Sequence, residues 1–123
     1  MTISTAFKQS VIFKSREAWL NVCRADEILP FTGVAALIEG EQVAIFRLAD
    51  EDQCYSISNY DPFSKAYVMS RGLVGDKNGV IKIASPIYKN TFNLMTGQCF
   101  EDENVWLHTW TTRVVEGIVQ IAM

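Results

Sequence analysis

The stretch SNYDPFSKAYVMSRG, residues 58–72, decides the fold when it is set beside ASPIYKNTFNLMTGQCF, residues 84–100. A short run of strand-forming residues leads into each, QCYSIS at 53–58 and GVIKIA at 79–84. Both runs alternate, as a strand with one buried face does. Each stretch then breaks into turn chemistry. Asn59, Asp61 and Pro62 turn the first, while Ser85 with Pro86 and later Thr96 with Gly97 turn the second. Both have the outline of a loop wrapped around a prosthetic group, but neither carries the ligands such a loop would need.

Outward from these loops, the same grammar repeats. WLNV (19–22), GVAALI (33–38), QVAIFRLA (42–49), TFNL (91–94), VWLHTW (105–110), TRVV (112–115) and IVQIA (118–122) read as further strands. The Gly-containing turn between 38 and 42 predicts one hairpin, and Glu116-Gly117 predicts a second. CRADEIL (23–29) predicts a short helical turn with Asp26 as its cap and Ile28 and Leu29 facing inward. RGLVGDKNG (71–79) reads as a surface loop that reverses the chain, because it leads into a strand and contains no G-x-G-x-x-G. No long stretch has helical periodicity. The expected fold is all-β, a sandwich or small barrel of short antiparallel strands. Residues 16–123 read as one domain. Residues 1–15 are left as a segment of open structure, and AFKQSVIF (6–13) suits an edge strand, a helix or a loose tail.

The chain has 123 residues, 49% of them hydrophobic, which suits one domain with a real core. Its net charge of −3 and its dispersed basic residues argue against nucleic acid as a partner. No apolar run approaches the roughly 20 residues of a membrane helix, and no secretory signal is visible. A cytoplasmic protein is expected. Cys23, Cys54 and Cys99 are scattered and odd in number, as reduced packing thiols would be.

Little in the chain suits catalysis. His108 is the sole histidine, placed with Trp106 and Trp110 on one face of its expected strand, and it reads as structural. The acidic runs Asp50-Glu51-Asp52 and Glu101-Asp102-Glu103 read as solvated turns without the spacing of a calcium loop.

The two-loop frame resembles a Rieske [2Fe–2S] domain, in which a C-x-H loop and a C-x-x-H loop hold the cluster with two Cys and two His. Here the first pair of positions reads Asn59 and Asp61, and the second reads Ser85 and Tyr88. One histidine in the whole chain cannot supply two histidine ligands. The pattern of a Rieske-like frame without ligands is similar to the small-subunit family of assimilatory NAD(P)H-dependent nitrite reductases, over most of residues 19–102. NYDPFS, SRGLVGD and SPIYKN carry that resemblance.

The resemblance implies a cofactor-free subunit in nitrate assimilation. Its partner would be a large subunit that carries FAD, an iron–sulfur cluster and sirohaem and reduces nitrite to ammonia. It implies no catalytic residue, cofactor site or metal site in this chain. Asn59, Asp61, Ser85 and Tyr88 are expected to knit the loop tips together by hydrogen bonds. Tyr60, Phe63, Tyr88 and Lys89 are the expected docking residues. A free-standing ligand-less module for another partner is the alternative reading, and a Rieske electron carrier the third.

Overall fold

Three two-residue turns organise most of the pairing. Glu39-Gly40, Asn78-Gly79 and Glu116-Gly117 all hold both residues at positive φ, between 48° and 86°. That is the backbone of the turn whose twist matches a right-twisted hairpin. The first joins β4 (Thr32–Ile38) to β5 (Glu41–Arg47), paired from Thr32–Arg47 to Ile38–Glu41. The second joins β9 (Leu73–Lys77) to β10 (Val80–Ala84). The third joins β13 (Thr112–Val115) to β14 (Ile118–Ala122).

The computed structural model describes residues 3–5, 7–8, 18–49 and 53–123. The remaining described strands are β1 (Ile3–Thr5), β2 (Phe7–Lys8), β3 (Trp19–Arg24), β6 (Cys54–Ser58), β7 (Tyr60–Asp61), β8 (Ala66–Tyr67), β11 (Thr91–Asn93) and β12 (Thr109–Trp110). They form a five-stranded sheet in the order β1-β4-β5-β6-β12 and a four-stranded sheet β13-β14-β3-β2. A three-stranded sheet β11-β10-β9 and the small β7-β8 pair carry the loop end. The all-β expectation holds, with one departure in direction: β1 runs parallel to β4.

Two apolar cores follow from this layout. Leu20, Val22, Ile28, Ile38, Val43, Ile45, Val119 and Ile121 fill the space between the two larger sheets. Ala44, Phe46, Ile57, Met69, Ile83, Phe92, Leu94 and Leu107 fill a second space between the five-stranded sheet and the β9–β11 sheet. Strand β5 serves both, because Val43 and Ile45 point one way and Ala44 and Phe46 the other. Complete burial of such a side chain contributes about 1.5–3 kcal/mol. The β5 face that completes the second core therefore seats the loop end firmly on the barrel.

Several local expectations are corrected. RGLVGDKNG is half of a hairpin, not a loop: residues 73–77 pair in full with β10. In VWLHTW only Thr109 and Trp110 join a strand, and Trp106 forms a single bridge to Gln98. The short 3-10 turn is Ala25–Glu27, and Glu27 accepts the Arg24 N–H at 3.0 Å while Asp26 binds the Arg24 guanidinium. Asp26 is therefore not its cap. Ile28 is buried as expected, but Leu29 is 70% exposed. In AFKQSVIF, Phe7 and Lys8 pair at a sheet edge with β3, and residues 6 and 9–13 lie outside the described residues.

Candidate functional site

The first loop leaves β6 at Ser58 and buries its polar side chains at once. Asn59 and Asp61 are fully buried. The Asn59 amide donates to Gln42 Oε1 at 3.0 Å, and its Oδ1 accepts the Ser70 N–H at 2.8 Å. Its backbone completes the tie, donating to the Gln42 carbonyl and accepting from the Met69 N–H. One side chain thus spans the entry and exit of the loop. Asn is suited to this because it presents a donor and an acceptor from one planar group.

Asp61 is the hub. Its Oδ1 accepts the Phe63 N–H at 2.9 Å, and its Oδ2 accepts the hydroxyls of Ser64 at 2.7 Å and Ser85 at 2.5 Å. The Asp61 carbonyl accepts the Lys65 N–H at 2.7 Å. Burial pushes its carboxyl up, yet these donors outweigh burial. The hydroxyls of Ser85 and Ser64 and the N–H groups of Phe63 and Ser64 hold it below the usual carboxylate range.

Ser85 begins the second loop after β10. It is buried, and its own N–H donates to the Asn90 carbonyl at 2.9 Å, closing a six-residue loop. Between these ends Pro86, Ile87, Tyr88 and Lys89 are all exposed. Glu101 holds the start of β11 by accepting the N–H and the hydroxyl of Thr91. Its run is therefore more than a solvated turn, whereas Asp50-Glu51-Asp52 lies outside the described residues. Gly97, at φ 86°, passes so close to Leu107 that an added Cβ would sit 2.0 Å from its carbonyl oxygen. The Thr96-Gly97 turn thus has a packing reason independent of any cofactor.

Of the four expected knitting residues, the structure joins Asp61 to Ser85 across the loops. Asn59 ties the first loop to its own far end and to β5 instead, and Tyr88 is 65% exposed. Among the expected docking residues, Tyr60 packs against Tyr67 with ring centroids 5.1 Å apart, and Phe63 is half-buried against Phe92 at 6.1 Å. Tyr88 and Lys89 are open to solvent. Gln42, Ser64 and Ser70 were missed in the sequence. Ser64 is local to the Asp61 turn, three residues on, whereas strand register brings Gln42 and the 3-10 turn at Met69–Arg71 brings Ser70 to Asn59. His108 is exposed and meets the Trp110 ring edge-on at 4.4 Å.

Residues 18–122 match the family model of the Rieske-like [2Fe-2S] domain. The chain belongs to that family. It is 50% identical over 103 residues to the "Nitrite reductase (NADH) small subunit" of Salmonella typhimurium, covering 84% of this chain and 95% of the relative. The NMR structure of the E. coli protein NirD superposes with a TM-score of 0.81 at 45% identity, covering 87% of this chain and 97% of that one. A 103-residue stretch of the chain is also 34% identical to part of the "Nitrite reductase [NAD(P)H] large subunit" of Klebsiella oxytoca, covering 84% of this chain and 11% of that protein. These relatives place the chain in the nitrite reductase small-subunit family.

The donor set does not fit the cluster that gives the wider family its description. A Rieske centre takes two thiolates and two imidazoles. Asn59, Asp61, Ser85 and Tyr88 offer neither, and Asp61 and Ser85 bond directly to each other where two ligands would converge. Cys54 and Cys99 are packed into the two separate cores. Burial pushes the Cys23 thiol up to about 12, with Glu27 and Cys54 adding to the effect, so it is no ready thiolate.

Proposed function

We propose that this chain is the small, cofactor-free subunit of a cytoplasmic NAD(P)H-dependent nitrite reductase. It docks on a large subunit that carries FAD, an iron–sulfur cluster and sirohaem and reduces nitrite to ammonia. The chain itself contributes no catalytic residue. One observation carries the reading: relatives of this domain occur both as a separate small subunit and within a large-subunit chain. A domain found in both arrangements works beside the large subunit's catalytic parts. Among the described residues no helix is long and apolar enough to cross a membrane, which is compatible with the cytoplasmic assignment.

The buried Asp61–Ser85 contact supports the cofactor-free part of the reading, because the space between the loops is spanned by a direct hydrogen bond. The Rieske frame then serves as a rigid mount for exposed loop residues. Tyr60, Tyr88, Lys89 and the accessible part of Phe63 are the docking candidates.

Co-expression with the candidate large subunit tests this. The two chains are expected to co-purify, nitrite-dependent NAD(P)H oxidation to rise with this chain present, and the chain alone to be colourless and inactive. Stable, full activity of the large subunit alone would sink the supporting role. A stoichiometric [2Fe–2S] spectrum after reconstitution with iron and sulfide would sink the cofactor-free claim. A pull-down that recovers a different protein and no reductase would favour a free-standing binding module.

A further inference from the structure

We infer that the joined loop tips form a basic, aromatic docking face that recognises a carboxylate-rimmed apolar recess on the large subunit. This deepens the reading above and rests on it. The chain has 11 Lys and Arg and 14 Asp and Glu. In residues 58–72 and 84–100 the balance reverses: Lys65, Arg71 and Lys89 face a single acid, Asp61. Asp61 is fully buried, with its oxygens bonded inside the loops. Lys65, Arg71 and Lys89 are all exposed. Within these two stretches every exposed charge is therefore a cation, while the exposed Glu101 just beyond them is engaged with Thr91.

Hydrogen bonds tie together the turns that carry two of those cations. The Lys65 N–H donates to the Asp61 carbonyl, Asp61 Oδ2 accepts from Ser85 Oγ, and the Ser85 N–H donates to the carbonyl of Asn90, the neighbour of Lys89. Three hydrogen bonds thus link the turn of one lysine to that of the other. Both lysines sit in the left-handed region, at φ 60° and 64°. Glycine or asparagine would hold that backbone with less strain. The chain places a long cationic side chain at both points instead, and strain of this kind concentrates at functional positions.

Close to the lysines in sequence stand the anchors. Tyr88 is 65% exposed and adjoins Lys89, and Ile87 is 45% exposed. Tyr67 is 52% exposed and is stiffened by its contact with Tyr60. Tyrosine on a fixed loop is a favoured hot spot, because it buries a large ring with few rotors to freeze. Flanking cations raise the association rate and select against basic surfaces. The complementary surface is one that seats Tyr88 in an apolar recess and offers Asp or Glu at its rim.

The test measures binding of the full chain to the large subunit at low and high salt. Lys65→Glu with Lys89→Glu is expected to weaken binding about tenfold or more at low salt and to flatten the salt dependence. Lys77→Glu with Lys82→Glu changes net charge equally on the β9–β10 hairpin and is expected to leave affinity within about twofold of wild type. Tyr88→Ala is expected to lose about tenfold at both salt levels. Of the five variant sites, Lys65, Lys77, Tyr88 and Lys89 are exposed and Lys82 is half-buried, so thermal unfolding should stay close to wild type. Wild-type binding with an unchanged affinity and salt slope in the Lys65/Lys89 variant overturns this face and leaves the partner reading intact. A wild-type chain that does not bind the large subunit overturns the partner reading, and this face with it.

Discussion

The first loop buries Asn59, Asp61 and Ser70, and the second displays every side chain at its tip. From Asn59 to Ser70, three polar residues are buried and each is bonded: Asn59 to Gln42 and Ser70, Asp61 to three donors from Phe63, Ser64 and Ser85. From Pro86 to Lys89 nothing is buried, and the loop is anchored at Ser85. The two loops answer to different penalties. A buried polar group that loses its partner costs the full desolvation of what remains, whereas an exposed one costs little. Substitutions at the buried polar residues of the first loop should therefore be read in stability, and substitutions at the tip of the second should be read in binding.

The largest expected effect is at Asp61. Asp61→Ala would leave the hydroxyls of Ser64 and Ser85 and the Phe63 N–H without their acceptor, at a cost of about 3 kcal/mol in urea unfolding. The pH dependence sharpens the point. A depressed folded pKa means that ionised Asp61 stabilises the fold fully above its unfolded pKa, about 3.9, and that this contribution is lost as pH falls through the lower folded value. Wild type should therefore lose stability relative to Asp61→Asn as pH drops below about 4. Parallel stability curves for the two proteins over that range would show that the carboxylate is not the hub.

Asn59→Ala comes next, at about 2 kcal/mol, because it strands the buried Ser70 N–H and the Gln42 side chain. Ser85→Ala should cost about 1 kcal/mol, since Asp61 keeps Ser64 and Phe63. It should also raise the pH at which Asp61 protonates, because one of the donors that hold the carboxyl down is removed. An unchanged acid limb in Ser85→Ala would break the link between the loops.

The same contrast explains what was legible in the sequence. Glu39-Gly40 and Glu116-Gly117 announce their hairpins because apolar, β-branched runs flank them. Asn78-Gly79 carries an equally strong turn signal, but Gly75, Asp76 and Lys77 do not read as a strand. Only pairing with β10 makes them one. VWLHTW errs the other way, for its alternation is real but most of it has no partner strand. At the site, Asn59, Asp61 and Ser85 are visible because a ligand frame marks their positions. Two of their partners are not: Gln42 comes from the start of β5, delivered by register, and Ser70 comes from the 3-10 turn at the far end of the loop. Tyr88 was expected to bond across the loops. A segment tied only at Ser85 and Asn90 has no means to turn that ring inward, and it stays in solvent.

Tyr88 is thus the site where the comparison predicts the smallest change in stability. Tyr88→Ala removes a ring that is 65% exposed, and the unfolding free energy should move by no more than about 0.5 kcal/mol. If the second loop exists to be covered, the same variant should weaken association with the large subunit while its urea curve overlays that of wild type. A large loss of stability would mean that the ring supports the fold, and would return the second loop to the same category as the first. Unchanged stability together with unchanged association would leave the exposed tip without the docking role that its aromatics and lysines point to. The informative quantity is the ratio of the two effects: near zero binding loss per unit of stability loss at Asp61 once refolded protein is compared at equal concentration, and the reverse at Tyr88.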